Sequence, residues 1–204
     1  MKLIMTWSCL CILILSLMSS FVYGDEDEVL MTIEEARSAY QNKEYREAAF
    51  QLNKALNQIN KQIVEELKTF LPEPFGGWDA DKPESGASGL ALLAELSVKR
   101  RYYKRGTGKS IDVELVSNAP KIPNIRMWLS NPRLMSAEEG LQIEEINNAR
   151  CITKYEPGDR YAEVNILIGS SMLVIIRAFE AKDLDDAKKF AEKINVNAME
   201  DRFP

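Results

Sequence analysis

The sequence predicts an α+β protein: an N-terminal helical hairpin followed by an antiparallel sheet of about six strands, with an inserted helix and a C-terminal helix. Apolar residues recur every three or four positions before residue 70, which is typical of helices, whereas apolar and polar residues alternate between residues 109 and 117. The connections between later strands are short, which favours antiparallel pairing. With 46% hydrophobic and 28% charged residues among 204, the composition is that of a globular protein.

The first 24 residues have the pattern of a secretory signal peptide. Lys2 precedes an apolar stretch from Leu3 to about Val22, and the small residues of the cleavage motif are Val22 and Gly24. We therefore expect cleavage between Gly24 and Asp25, giving an exported, periplasmic product without stable membrane insertion. The alternative is an uncleaved segment anchored in the inner membrane, because the apolar run approaches the roughly 20 residues that span a bilayer.

The residues after the cleavage site predict a short tail and two helices. Residues 25–31 are expected to form a flexible acidic tail, and residues 32–70 the helical hairpin. Thr32-Ile33-Glu34-Glu35 has the form of a capping box, which predicts a first helix from about residue 33 to 41. A second helix is expected over about 45–70, since its apolar residues fall on one helical face.

The hairpin residues also carry a resemblance. The spacing of small and apolar residues is similar to that of a single tetratricopeptide unit, on the basis of Ala36, Tyr45, Ala48, Ala55 and Leu56. About three such units are needed to build a peptide-binding groove. The resemblance to a single unit therefore implies that the two helices pack against each other for structural reasons, more than that they bind a peptide.

Residues 71–93 are predicted to be a linker. The segment contains Leu71-Pro72-Glu73-Pro74-Phe75-Gly76-Gly77-Trp78, in which two prolines and two glycines end the helical pattern. We expect Phe75 and Trp78 to pack beneath the next lobe. This Leu-Pro-x-Pro-x-Gly-Gly-Trp segment, between a helical hairpin and a strand meander with a terminal helix, resembles a family of small uncharacterised exported bacterial proteins. The resemblance implies periplasmic residence in a Gram-negative cell and assigns no catalytic residues.

Residues 94–204 are predicted to form the α+β domain. A middle helix is expected around 125–129, with Met127, Trp128 and Leu129 on its buried side, and Asp183 is expected to cap the final helix. The strand at 172–179 is apolar on both faces, so we expect it to be central and covered on both sides by the hairpin and the final helix. The six predicted strands cover about 94–105, 109–117, 141–147, 150–156, 160–168 and 172–179.

The composition excludes several kinds of catalytic site. The chain has no His, so it has no Ser-His-Asp or Cys-His pair and no His-ligated metal. Cys151, the single thiol after cleavage, is interpreted as a small buried residue. Neither Glu138-Glu139 nor Glu144-Glu145 is a hydrolase pair by itself, because adjacent strand residues point to opposite faces. We expect no cofactor, no metal and no enzymatic activity; a hydrolase, the distant alternative, would need carboxylates converging from separate strands.

Gly106-Thr107-Gly108-Lys109-Ser110 looks like the end of a phosphate-binding loop. The full motif requires a glycine where Tyr103 stands and a helix after the Ser. Since the residues after Ser110 alternate like a strand, we predict a hairpin turn.

The sharpest charge feature is a run of bases interleaved with Tyr102 and Tyr103. It favours either a charge-paired strand, with Asp112 and Glu114 as cross-strand partners, or a site for an anionic envelope ligand such as a lipid headgroup, an acidic glycan or an acidic protein. Nucleic acid is disfavoured, because loss of Lys2 leaves 25 bases against 31 acids, a net charge of −6. The candidate ligand-binding residues are Lys99, Arg100, Arg101, Lys104 and Arg105.

Together these patterns predict an exported, non-enzymatic periplasmic protein that binds or supports a component of the cell envelope. The alternative is an interaction module that docks a partner protein through its helical hairpin.

Overall fold

The computed structural model describes residues 24–88, 95–137 and 140–203. Most of the predicted signal segment, part of the predicted linker, and the Glu138-Glu139 pair lie outside the described residues. The chain divides into two compact units, Met1–Ile59 and Asn60–Pro204. In the described part of the chain, no helix is long and apolar enough to cross a membrane.

The first unit contains the predicted hairpin. Helix α1, Gly24–Gln41, is followed by helix α2, Tyr45–Lys68, whose last residues belong to the second unit. Lys43 has a φ of 64° in the tight turn between the helices. Small buried residues allow two antiparallel helices to approach closely. Within the first unit, the buried positions are Val29, Thr32, Ala36 and Ala39 in α1, with Ala48 and Ala55 in α2.

Helix α1 begins earlier than the sequence predicts. Residues 25–31, expected to be a flexible tail, lie within the first turns of α1. Thr32 is not a capping residue: it is buried, and its Oγ1 donates a hydrogen bond to the Glu28 carbonyl four residues earlier at 2.9 Å. Val29 and Thr32 extend the buried face of α1 by another turn, and this burial outweighs the local capping signal.

The second unit is built on one antiparallel sheet of eight strands. The strand order is β1-β3-β4-β8-β7-β6-β5, and β2 also pairs with β3. The strands are β1 (Asp79–Ala80), β2 (Glu84–Ser88), β3 (Glu95–Tyr103), β4 (Ser110–Ser117), β5 (Leu141–Ile146), β6 (Ala149–Glu156), β7 (Tyr161–Ile168) and β8 (Met172–Phe179).

The topology confirms the predicted α+β class and adds two strands to the six expected. Strand β8 is central, as its two apolar faces predict, with β4 on one side and β7 on the other. Strands β5 to β8 form the expected meander, but β4 pairs with β8 across a long stretch of sequence. The alternating pattern alone could not predict that pairing, because it specifies faces and not neighbours.

The predicted linker is part of the fold. It supplies β1 and β2, and its aromatic residues enter the core, where Phe75 and Trp78 contact the ring of Phe190 with centroids 4.6 and 5.4 Å apart. The expected packing of both aromatic residues is therefore confirmed, and the described part of residues 71–93 contributes two strands to the sheet.

Helices cover both faces of the sheet. Helices α4 (Asp185–Ala191) and α5 (Val196–Arg202) pack on one face together with residues 63–71. Helix α3 (Ile122–Ser130) and a 3₁₀ turn (Pro132–Ala137) pack on the other face. The final helix is therefore two short helices, and Asp183 Oδ1 accepts a hydrogen bond from the Asp185 amide at 2.9 Å.

Helix α3 presents a different side to the sheet from the one predicted. Ile122 and Ile125 are its buried residues, Trp128 and Leu129 are partly buried, and Met127 is exposed. The segment starts three residues before the expected helix, so Ile122 and Ile125 contact the sheet first. The sequence pattern predicts only the hairpin and the final helix as elements that cover the sheet, and it does not predict this role for α3.

Tyr102 joins β3 to the segment that follows α2. Its ring is fully buried against Phe190, with centroids 4.7 Å apart, and its Oη donates to the Pro72 carbonyl at 2.6 Å. Burial raises the pKa of the phenol to about 12, so the hydroxyl stays protonated and continues to donate. We expect Tyr102→Phe to lower the free energy of unfolding by about 1 kcal/mol.

Urea unfolding of the two proteins measures this loss, and Tyr40→Phe is the matched control because Tyr40 is exposed. Equal midpoints for Tyr102→Phe and the unmodified protein would show that the hydrogen bond to Pro72 makes no net contribution.

Candidate binding surfaces

The five predicted ligand-binding residues do not share one face of the sheet. In β3, Lys99 and Arg101 lie opposite Glu114 and Asp112, on the face that α3 partly covers. Arg100 alternates with them and lies on the side of Tyr102. Lys104 and Arg105 follow the end of β3.

Asp112 neutralises two of these bases. Arg101 Nε and Nη2 donate to its two carboxylate oxygens at 2.7 and 3.0 Å, and Lys99 Nζ lies 2.7 Å from Oδ2. Asp112 is only 2% exposed. Burial alone would raise the pKa of this carboxyl, but the hydrogen bonds and charges of Arg101 and Lys99 outweigh burial and lower it. Asp112 is thus the predicted cross-strand partner, whereas Glu114 pairs with Arg177 of β8 at 2.7 Å.

Arg100 and Arg105 hold the strands at this edge of the sheet. Arg100 donates to the carbonyl oxygens of Asp81 at 2.9 Å and Pro72 at 3.3 Å. Arg105 pairs with Asp79 of β1 at 2.7 Å. Lys104 has no ion pair among the described residues. Most of the basic run therefore forms a charge-paired strand.

A small cleft of about 230 Å³ lies beside the paired bases. Its lining mixes both signs of charge: Asp81, Lys82, Glu84, Lys99 and Arg101. An anionic ligand in this cleft would compete with Asp112 for both Lys99 and Arg101. A site for an anionic envelope ligand at these residues therefore stays a prediction.

The same face of the sheet carries a second ionic cluster around Glu163 of β7. Asn165 Nδ2 donates to Glu163 Oε1 at 2.7 Å, Tyr161 Oη donates to Oε2, and Lys121 Nζ lies 3.3 Å from Oε1. Burial would raise the pKa of Glu163, but the hydrogen bonds from Tyr161 and Asn165 and the nearby cations lower it.

The ionisation of Asp112 and Glu163 bears on the predicted alternative of a hydrolase. The general acid of such an enzyme needs a raised pKa, so that it carries a proton near neutral pH. The pKa values of Asp112 and Glu163 are instead lowered, and each carboxylate is bound by cations. Both groups are therefore held ionised.

Cys151 is buried in β6, on the face covered by α4. Burial raises the pKa of its thiol to about 11, which keeps it protonated, and Sγ donates to the Glu144 carbonyl at 3.5 Å. The Glu144 side chain accepts from Thr153 at 3.1 Å and pairs with Lys188 at 2.5 Å. Cys151 and Glu144 are thus core and ion-pair residues.

The glycine-rich segment before β4 is the predicted hairpin turn. Gly106 and Gly108 have φ angles of 74° and 70°, a region that glycine adopts without strain. Lys109 pairs with Asp186 of α4 at 2.6 Å, and a strand begins at Ser110. This lysine therefore serves as an ion-pair partner in the fold.

The hairpin unit carries an exposed apolar surface that sequence reasoning missed. Ile33 and Tyr40 are seven residues apart in α1, and Tyr45 and Leu52 are seven apart in α2. Because an α-helix turns about 100° per residue, each pair lies on one side of its helix. All four side chains are exposed, Tyr40 by 66% and Tyr45 by 60%. We call these four residues the tyrosine stripe.

The two halves of the tyrosine stripe are adjacent. The Tyr40 and Tyr45 rings contact edge to face, with centroids 5.6 Å apart, where the hairpin turns. The spacing of apolar residues over 45–70 predicts that Leu52 lies on the buried face of α2, but its side chain is exposed. The signal that could have found the stripe is the repeat of large apolar residues at the same seven-residue spacing on both sides of the turn.

The fold places this chain in the α+β class, with a helical hairpin and an eight-stranded antiparallel sheet. Comparisons with family models, curated proteins and solved structures gave no match. The resemblances to small exported bacterial proteins and to a tetratricopeptide unit therefore stay predictions.

Proposed function

We propose that this chain is an exported, non-enzymatic accessory protein of the periplasm whose hairpin binds a basic amphipathic helix of a partner protein. The observation that carries the proposal is the tyrosine stripe on α1 and α2. Export is inferred from the apolar stretch Leu3–Val22 and the cleavage motif that ends at Gly24.

The stripe has the composition of a protein-binding surface. Exposed aromatic residues that lie together are costly in water, and tyrosine is enriched among the residues that dominate binding energy. Two helices packed side by side form a groove into which the apolar side of a third helix fits. Ile33, Tyr40, Tyr45 and Leu52 would line such a groove along about two turns of each helix.

Charge indicates the chemistry of the partner. Residues 25–59 contain eight acids and four bases. A helix with lysines or arginines beside its apolar side would complement this excess of negative charge. A second copy of the hairpin would bring two acidic surfaces together, which disfavours self-association as the use of the stripe.

A peptide titration tests the proposal on the full chain, expressed with its own N-terminal segment. The probe is a fluorescent helical peptide of leucine and lysine, with leucines at helical spacing; its control replaces each lysine by glutamate. We expect the lysine peptide to bind and the glutamate peptide to bind at least about tenfold more weakly. Tyr45→Ser should weaken binding of the lysine peptide about tenfold or more, because a central aromatic contact is lost.

Phe50→Ser is the matched control variant. Phe50 is an aromatic residue of α2 and is 63% exposed, but five residues after Tyr45 it points about 140° away from the stripe. Its replacement should change the affinity less than about twofold. Equal losses in both variants, or none in Tyr45→Ser, would contradict docking at the stripe.

Three further outcomes would overturn parts of the proposal. A dimer in light scattering that Tyr45→Ser dissociates would assign the stripe to a second copy of the chain. Hydrolysis of ester, glycoside or peptide substrates that is lost in Glu163→Gln would contradict a non-enzymatic role. An intact mass that retained residues 1–24 would contradict cleavage after Gly24.

A further inference from the structure

A second surface, in the sheet unit, collects side-chain amides. An open cleft of about 390 Å³ lies between two turns of the sheet unit. One turn connects β5 to β6, and the other connects α4 to α5. This volume lies in the lower part of the roughly 300–1,000 Å³ range of small-molecule sites. The cleft is lined by Asn147, Asn148, Glu192, Lys193, Ile194, Asn195, Val196 and Asn197. We call it the carboxamide cleft.

The two turns are held in place by the asparagines themselves. Asn147 and Asn148 have φ angles of 51° and 62°, which fixes the β5–β6 turn, and Asn147 Nδ2 donates to the Glu192 carbonyl at 2.8 Å. Asn195 Oδ1 accepts from the Ala198 amide at 3.1 Å at the start of α5. The cleft is therefore preorganised, which lowers the entropy cost of binding.

Part of the hydrogen-bonding capacity of these amides is not used by the fold. Asn147 retains its side-chain oxygen and Asn195 its NH₂ group, because the bonds above use only the other atom of each amide. The side chains of Asn148 and Asn197 make no hydrogen bond to the described residues. The fold accounts for Asn147, Asn148 and Asn195, since turns and caps favour asparagine, but it gives no such reason for Asn197.

We infer that the carboxamide cleft binds a neutral acetamido sugar unit of an envelope glycan. Carboxamides both donate and accept, as do the hydroxyl and acetamido groups of such a sugar. Glu192 and Lys193 balance each other in charge, so the lining favours neither an anion nor a cation. This site is separate from the docking surface proposed above.

An NMR titration of the full chain with the tetramer of N-acetylglucosamine tests the inference. We expect amide shifts confined to residues 147–148 and 192–197, with a dissociation constant on the order of 1 mM, as suits a small open site. Cellotetraose, which lacks the acetamido groups, should bind more weakly.

Two variants remove a side-chain amide and preserve the fold. Asn148→Gly keeps the left-handed backbone of the turn, and Asn197→Ala places a better helix former in α5. Each should weaken binding about fivefold, the effect of one net hydrogen bond of about 1 kcal/mol. Asn57→Ala, at an exposed asparagine of α2, should leave the affinity unchanged.

Three results would overturn the inference. The first is no shift at about 10 mM sugar, well above the expected dissociation constant. The second is equal affinity in Asn148→Gly, Asn197→Ala and the unmodified protein. The third is tighter binding of tetra-alanine than of the sugar, which would make the cleft a peptide site. None of these results bears on peptide binding at the tyrosine stripe.

Discussion

Replacing Phe190 by Ala is expected to lower the free energy of unfolding by about 3–5 kcal/mol. Phe190 is fully buried in α4, and three aromatic rings pack around it. The centroid distances are 4.6 Å to Phe75, 4.7 Å to Tyr102 and 5.4 Å to Trp78. The truncation would remove these contacts and leave a cavity between the sheet and its covering helix. The loss of stability therefore includes both the transfer free energy of the removed ring atoms and the cost of the cavity.

Chemical unfolding followed by tryptophan fluorescence measures this loss, because Trp78 lies in the affected cluster. Phe190→Leu keeps most of the apolar volume and should cost about 1–1.5 kcal/mol, which provides a measurement if the alanine variant does not fold. Phe50→Ala, at an exposed aromatic position, should stay within about 0.5 kcal/mol of the unmodified protein. Similar stabilities for Phe190→Leu and a charged variant, Phe190→Glu, would contradict the buried position of this ring.

Asp112→Asn is expected to lower the free energy of unfolding at pH 7 by about 1.5–3 kcal/mol, the range for hydrogen bonds to a charged group. The carboxylate is buried and receives bonds from Arg101 and Lys99. An asparagine of nearly equal size keeps one acceptor oxygen, but it turns an NH₂ group toward the two cations and removes the negative charge.

The ion pairs of Asp112 with Arg101 and Lys99 also predict how the stability of the protein depends on pH. The folded-state pKa of Asp112 is lowered, so the carboxylate stabilises the folded state above the ordinary aspartate pKa of about 3.9. This contribution is lost as pH falls through the folded-state pKa, because the folded state then binds the proton that the unfolded chain has already taken up. We therefore expect the stability difference between the unmodified protein and Asp112→Asn to shrink below about pH 4.

Urea midpoints measured between about pH 2.5 and pH 7 test this window. Asp201→Asn, an exposed acid in α5, is the control and should give a curve parallel to that of the unmodified protein. A stability difference for Asp112→Asn that does not change with pH would show that its ionisation is not coupled to folding.

Several elements could be predicted because their signals are local. The alternation of Ile111, Val113 and Leu115 against Asp112 and Glu114 specifies β4, and the apolar residues on both faces of 172–179 specify a central strand. The positive φ angles of Asn147 and Asn148 follow from a side chain that tolerates them. In each case the sequence pattern and the final environment agree.

Other elements were misjudged because a local signal competed with burial. The Thr32 pattern fits a helix start, but Thr32 lies inside α1, where Val29 and Ala36 continue the buried face. The Pro- and Gly-rich segment after Leu71 reads as a linker, yet Trp78 enters the core and β1 and β2 pair with β3. Only contacts with residues distant in the sequence distinguish a helix start from a helix interior, or a linker from a segment that joins the sheet.

The candidate binding surfaces depended still more on tertiary structure. The bases of 99–105 suggested either a charge-paired strand or a ligand site, and only the fold shows that Lys99 and Arg101 both pair with Asp112. The carboxamide cleft joins residues 147–148 to 192–197, about 45 positions later in the chain. No periodicity within either segment indicates that they meet.

The sequence by itself determined the α+β class, the central place of β8, the absence of imidazole chemistry and the hairpin turn at Gly106-Thr107-Gly108. Only the tertiary structure decided that β4 pairs with β8, that α3 covers the second face, and which charges neutralise one another. The physical reason is that periodicity records whether a side chain faces the core or water. Which distant strand, helix or ion meets that side chain depends on the packing of the whole sheet unit.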